Sequence, residues 1–251
     1  MRALAAALAA LALLAGCGDA GTVATGEQHP LVVSAASSMK EALNACAPDF
    51  GDAQVRLQFG GSDELAAQIR QGVPVDVFAA ANTKLPEALA SEGKLDAPVT
   101  FASNRLVLAV PARDAAVADF GDLQKRGTKL VIGAEGVPVG DYTRKVIAHL
   151  GSRQSAAIMA NVRSNEPDVK GVVGKLVQGA ADAGFVYASD VKATNGRLKA
   201  IALPEELGTK ATYGAGVVKR SAHADQARAF VDDLEAGGCH DALIAAGFGE
   251  P

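Results

Sequence analysis

Leu31-Val32-Val33-Ser34-Ala35-Ala36-Ser37-Ser38-Met39-Lys40-Glu41-Ala42-Leu43-Asn44-Ala45-Cys46 is the stretch from which the architecture is read. Leu31 to Val33 is a short continuous apolar run, the mark of a buried strand. From Ser38 onward Met39, Leu43, Cys46 and Phe50 recur at helical spacing. Strand is followed by helix, and the alternation then repeats. Val55 to Phe59 alternates as a strand, and Leu65, Ala66 and Ile69 share one face of a helix over Asp63 to Gln71 that Gly72 stops. Val75 to Ala79 is the next strand, and Leu85 to Ser91 the next helix, capped by Gly93. The series β-α-β-α-β-α assigns the chain to the α/β class.

A second series begins further on. Arg105 to Val110 is a strand closed by Pro111, and Leu130 to Gly133 is the next. Helices are expected at Val139 to Leu150, Ser155 to Val162 and Val169 to Gln178, and strands at Ala183 to Tyr187 and Leu198 to Ala202. The chain returns through Tyr213 to Val218 and ends in helices at Ala222 to Glu235 and Asp241 to Ala246. One α/β series inserted between another and its C-terminal helices predicts two lobes joined by crossing strands. Residues 30–109 plus 215–251 form the first lobe, and 110–214 the second. Ligands in such folds sit outside the carboxyl ends of strands, where helix N-termini converge, so the cleft between lobes is the expected site.

The N-terminus carries Arg2 and then an apolar run from Ala3 to Ala15, with the length and charge of a secretory signal over residues 1–16. It closes on Leu14-Ala15-Gly16-Cys17, which resembles the lipobox of bacterial lipoproteins. That assigns Cys17 to lipidation, residues 17–29 to a polar tether, and the protein to the outer face of the cell membrane. The alternative is an ordinary signal with an incidental cysteine. With 24 Lys and Arg against 28 Asp and Glu, the chain is mildly acidic and offers no electrostatic case for nucleic acid. An exported chain meets an oxidising compartment, so Cys46 and Cys239 are expected to pair and tie the first helix to the last. Two separate buried thiols are the alternative.

Helix N-termini carry unpaired N–H groups and partial positive charge, and can hold an oxyanion without a basic side chain. Ala35 to Met39 is one such start, with Ser38 supplying a hydroxyl; Ser38-Met39-Lys40-Glu41 also fits a capping box. Phe59-Gly60-Gly61-Ser62 is another, where Ser62 could equally be an N-cap and Asp63 would have to point away from an anion. Val137-Pro138-Val139-Gly140 places proline at a helix start, and Asn165 to Lys170 opens a helix in which Val169 offers its N–H; both also read as plain helix initiation. Tyr187 ends a strand with a phenol that can donate one hydrogen bond, or simply pack.

In order, AASSM (35–39), FGGSDELAAQI (59–69), GVPVDVFAAA (72–81), NRLVL (104–108), VPVGDY (137–142) and GFVYASD (184–190) resemble the molybdate-binding proteins of bacterial ABC importers. The resemblance runs through most of the chain after Leu31. It implies a two-lobed type II periplasmic-binding fold, each lobe a mixed sheet flanked by helices. By position it puts oxyanion contacts on Ser38, Ser62, Val139, Val169 and Tyr187, with Ser37 a rival to Ser38. Gly61 stands where relatives often have another serine. The implied ligand is molybdate or tungstate, with no cofactor. The implied partner is a membrane permease, and the protein is expected as a monomer held to the membrane by its lipid. A fully ionised tetrahedral anion only accepts hydrogen bonds, so neutral donors from both lobes can close around it. Sulfate, with shorter bonds, would leave such donors imperfectly satisfied.

Rival readings are a binding protein of the same fold for sulfate, phosphate or ferric iron, and a secreted hydrolase using Ser62 or Ser38 with His149, His223 or His240. Ferric sites usually need clustered phenolates, histidines or carboxylates, and only Tyr142, Tyr187 and Tyr213 are available, with scattered histidines. No G-x-S-x-G elbow surrounds either serine. A signalling ectodomain would need a membrane span or output domain, which the sequence does not show.

Overall fold

A computed structural model describes residues 29–207 and 210–251. The signal over 1–16, Cys17 and most of the tether lie outside the described residues. Strand β1 (Leu31–Ala36) is buried at every position. It leads through a tight turn at Ser37–Met39 into α1 (Lys40–Cys46). Next come β2 (Val55–Gly60), α2 (Ser62–Gln71), β3 (Val77–Ala80) and α3 (Lys84–Ser91). Gly72 ends α2 in the left-handed region at φ 91°, a conformation glycine adopts without strain. Strand β4 (Val99–Pro111) then crosses to the second series: β5 (Leu130–Gly133), α4 (Pro138–Ala148), α5 (Ser152–Met159), β6 (Val162–Glu166), α6 (Val169–Val177), β7 (Ala183–Tyr187), α7 (Ala188–Ala193) and β8 (Leu198–Ile201). The return is β9 (Lys210–Val217), followed by α8 (Ala224–Ala236) and α9 (Gly238–Ala246).

Pairing makes two sheets of the same plan. In the first, β1 lies parallel between β2 and β3, and β9 runs antiparallel to β3 and to β4. In the second, β5 lies parallel between β6 and β7, and β4 runs antiparallel to β7 and β8. Strand β4 belongs to both: Val99 to Arg105 pair with β9, and Leu106 to Pro111 with β7 and β8. In each sheet the chain moves outward to one side of the central strand and then to the other. The carboxyl ends of β1 and β5 are therefore switch points, the places where such sheets open a crevice.

Several features depart from the sequence expectation: helix α7 is unexpected, α1 begins only at Lys40, and β3 starts at Val77. Strand β4 is longer than Arg105 to Val110, because the polar pair Ser103-Asn104 that interrupts its apolar run is satisfied from afar. Ser103 exchanges backbone hydrogen bonds with Gly249 at 2.7 and 2.9 Å, and Asn104 Nδ2 donates to Ser189 Oγ at 2.8 Å. Helix α5 stops at Met159, and Val162 belongs instead to β6, a sheet-edge strand of mostly polar residues that carries no apolar period.

Cys46 and Cys239 are joined as a disulfide with Cα atoms 5.0 Å apart, fastening α1 to α9. Phe50 and Phe230 meet edge to face nearby, with ring centroids 5.2 Å apart. The two ends of the described chain thus share one side of the molecule.

Candidate oxyanion-binding site

Every parallel strand delivers its carboxyl end to one shared space. Ala36 ends β1 and Gly60 ends β2, Ala81 follows β3, Val137 and Asp168 lie in the turns after β5 and β6, and Tyr187 ends β7; all line one small cavity of about 10 Å³. Ser38, Ser62, Val139, Val169 and Tyr187, far apart in sequence, line it together, and so does Ser37. The first sheet contributes the serines, and the second contributes the two later helix starts and the phenol.

Neither serine is spent on a cap. Met39 stands at the N-cap of α1 and Gly61 at that of α2, and neither helix start has a side-chain cap hydrogen bond. Ser38 lies within the tight turn, and its Oγ is 2.9 Å from Tyr213 Oη. Ser62 is the first residue of α2, and its Oγ accepts from the Ala81 N–H at 3.1 Å, leaving its own proton to donate. In α4, Pro138 occupies the first turn, where its missing N–H costs least. Gly140 lets the helix approach the end of β5: a Cβ there would lie 2.0 Å from the Ala134 carbonyl oxygen. In α6, Asp168 is the N-cap and its Oδ1 accepts from Gly171 N at 2.9 Å. The N–H groups of Val139 and Val169 remain among those that a helix start cannot satisfy internally.

The electrostatics are those of neutral donors. Among the described residues no Lys, Arg or His lines the cavity, and the one charged residue that does, Asp168, is engaged with Gly171. Tyr187 is 1% exposed, and among the described residues its Oη has no hydrogen-bond partner. Burial raises the phenol pKa of Tyr187 well above the usual value, so it is a donor at any physiological pH. Outside the cavity, Lys170 Nζ of α6 lies 2.6 Å from Glu41 Oε2 of α1 and 3.1 Å from Asp190 Oδ1 of α7. Burial pushes the Asp190 carboxyl up to about 6, with Lys170 opposing. Burial alone would lower the Lys170 pKa, but the facing Asp190 and Glu41 carboxylates raise it. Asp63 is not among the lining residues.

Residues 31–249 match the bacterial extracellular solute-binding proteins. The chain belongs to that family. Like the other members of this solute-binding family, it is a binding protein and not an enzyme, and it acts outside the cytoplasm. It is 32% identical to the molybdate-binding protein ModA of Mycobacterium tuberculosis, over 92% of this chain and 94% of that one. It is 30% identical to a structure described as the substrate-binding domain assigned to a molybdenum ABC transporter of Clostridium difficile, with TM-score 0.66 over 88% of this chain and 98% of that one. The periplasmic molybdate-binding protein of Azotobacter vinelandii superposes with TM-score 0.78 at 24% identity, covering 88% and 99% of the two chains, and shares the two-lobed type II periplasmic-binding fold.

In this solute-binding protein several residues at the site carry no local sequence signal. Tyr213 reaches Ser38 across 175 positions. Ala81 offers only a backbone N–H. The backbone of Pro167 closes on Gly61 so tightly that a Cβ at Gly61 would lie 2.4 Å from the Pro167 carbonyl oxygen. The serine expected at that position from the resemblance has no room in this arrangement.

Proposed function

We propose that this solute-binding protein captures molybdate, or tungstate, between its lobes and hands it to the membrane permease of an ABC importer. The observation that carries the reading is the fully buried Tyr187 hydroxyl, unpartnered among the described residues, in a cavity to which those residues also bring serine hydroxyls and helix-start N–H groups and no basic side chain. A buried hydroxyl without an acceptor costs about 1–3 kcal/mol, and a multiply charged tetrahedral oxyanion supplies acceptors on every side. The names of the relatives support molybdate as that anion. Ser38, Ser62 and Tyr187 supply side-chain protons and Val139 and Val169 supply N–H groups, with Ser37 beside them.

Five neutral donors drawn from both sheets can exclude water and close on the anion without a countercharge, the role that oriented backbone dipoles play at helix starts. The lobe division of 30–109 plus 215–251 against 110–214, with β4 shared, is part of this reading. So are a monomeric state and a lipid at Cys17 that keeps the protein beside its permease. Isothermal titration with molybdate, tungstate, sulfate and phosphate in turn is the test. One-to-one binding of the first two alone is expected; binding of sulfate or phosphate alone would keep the fold and overturn the ligand.

A further inference from the structure

A hydroxyl can donate once and accept twice, so its role at a ligand is set by what occupies its other positions. Ser62 is settled by the Ala81 N–H. For Ser38 the pair with Tyr213 could run either way, since each oxygen carries one proton. The surroundings of Tyr213 decide it. Asn104 sits on β4 beside the second sheet, and its Oδ1 is taken by the Arg105 N–H at 2.9 Å, so its amide group presents donors elsewhere. One of these reaches Ser189 Oγ at 2.8 Å. Tyr213 is fully buried, and among the described residues its Oη has one hydrogen-bond partner, Ser38 Oγ at 2.9 Å. Were Ser38 the donor, the buried phenol proton would be left without an acceptor, so the phenol donates to Ser38 and leaves the Ser38 proton for the cavity.

We propose that Tyr213 is a positioning residue for oxyanion binding: its O–H donates to Ser38 Oγ and thereby turns the Ser38 proton into the cavity. This rests on the oxyanion-binding reading above and deepens it, because it makes the site chemically one-sided. With Ser38 supported by Tyr213 and Ser62 by Ala81, both serine hydroxyls are fixed as donors, and Tyr187 joins them. Each serine then points a proton, and not a lone pair, at the cavity, so a ligand that brings a proton of its own meets a donor at both. Such a site favours a fully deprotonated tetrahedral anion over a protonated one of similar size, a selection separate from bond length. The Tyr213 ring is placed for this work by edge-to-face contacts with Phe101, Tyr187 and Phe248, at centroid distances of 6.3, 5.9 and 5.2 Å. Tyr213→Phe therefore removes the oxygen and keeps the packing.

The test is a double-mutant cycle on the full chain with Tyr213→Phe, Ser38→Ala and the pair, titrated with molybdate and with arsenate, which near neutral pH still carries a proton. Tyr213→Phe is expected to weaken molybdate about tenfold. It should weaken arsenate less, because the Ser38 hydroxyl, no longer held, can turn and accept from the arsenate proton. In the Ser38→Ala background Tyr213→Phe should change little, since the oxygen it serves is gone. Additive effects, or equal loss for the two anions, would overturn the proposal, because a purely structural role predicts both. Neutron diffraction of the wild-type protein with molybdate gives a readout that needs no variant: deuterium on Tyr213 Oη along the line to Ser38 supports the relay, and deuterium on Ser38 pointing at Tyr213 refutes it. If the wild type binds neither anion, the functional reading falls and takes the relay with it. If it binds and the cycle is additive, the relay falls alone.

Discussion

Replacing Tyr187 with Phe should change binding and stability in opposite directions. In the protein without ligand, the hydroxyl is buried and has no partner among the described residues, so deleting it removes a group that costs about 1–3 kcal/mol to bury. The ring stays where it is, edge to face with Tyr213. Stability should hold or rise by up to that amount. With a dianion bound, the same hydroxyl makes a charge-assisted hydrogen bond worth about 1.5–3 kcal/mol, which corresponds to roughly 10- to 150-fold in affinity. Urea unfolding without ligand and calorimetric titration with molybdate read the two effects separately. At saturating molybdate the variant should also gain less in melting temperature than the wild type, as its weaker affinity requires. A variant that is less stable without ligand and unchanged in affinity would refute the reasoning, because it would show that the hydroxyl serves the protein and not the ligand.

Gly61→Ala should weaken binding by roughly 5- to 150-fold, the equivalent of about 1–3 kcal/mol of overpacking, because the new Cβ meets the Pro167 backbone. Titration with molybdate checks it, and unchanged affinity would mean that the two segments do not close on each other. Replacing both Cys46 and Cys239 with Ala opens a loop closed across 193 positions, and should cost about 2–5 kcal/mol in denaturant unfolding. Intact mass of the wild type under non-reducing conditions should show neither cysteine free. Asp190 gives a pH signature. Its pKa rises from the ordinary 3.8 to about 6, chiefly by burial, so between those values the folded chain keeps a proton that the unfolded chain has lost. Its contribution to stability is complete below about 4 and is lost as the pH rises through about 6, by up to about 3 kcal/mol in all. Asp190→Asn should flatten that part of the profile; identical slopes for variant and wild type between pH 5 and 7 would contradict it.

Periodicity carried most of the fold. Leu31 to Val33, the Leu65-Ala66-Ile69 face and the buried strand Ala183 to Tyr187 each declare their element within a few residues, because burial on one face imposes a repeat that a linear chain must display. The order of the small-residue helix starts also pointed to a site for an anion, since glycine and serine at the end of a strand leave backbone N–H groups accessible. Strand β6 was hidden because an edge strand with polar side chains has no such repeat, and the length of β4 because its polar centre is satisfied by Gly249 and Ser189.

At the site itself, the sequence left Ser38 and Ser62 open between capping a helix and facing a ligand, because the same residue types serve both. Tertiary structure removes the capping role by giving each oxygen a distant partner, Tyr213 for one and the Ala81 N–H for the other. Local sequence alone determined which segments fold as strand or helix and where donors stand at their ends. Which donors share one cavity, which way Ser38 and Tyr213 pair, and how near Pro167 comes to Gly61 depend on contacts between residues far apart in the chain. Those contacts arise only when the two sheets meet through β4, a long-range geometry that no local repeat encodes.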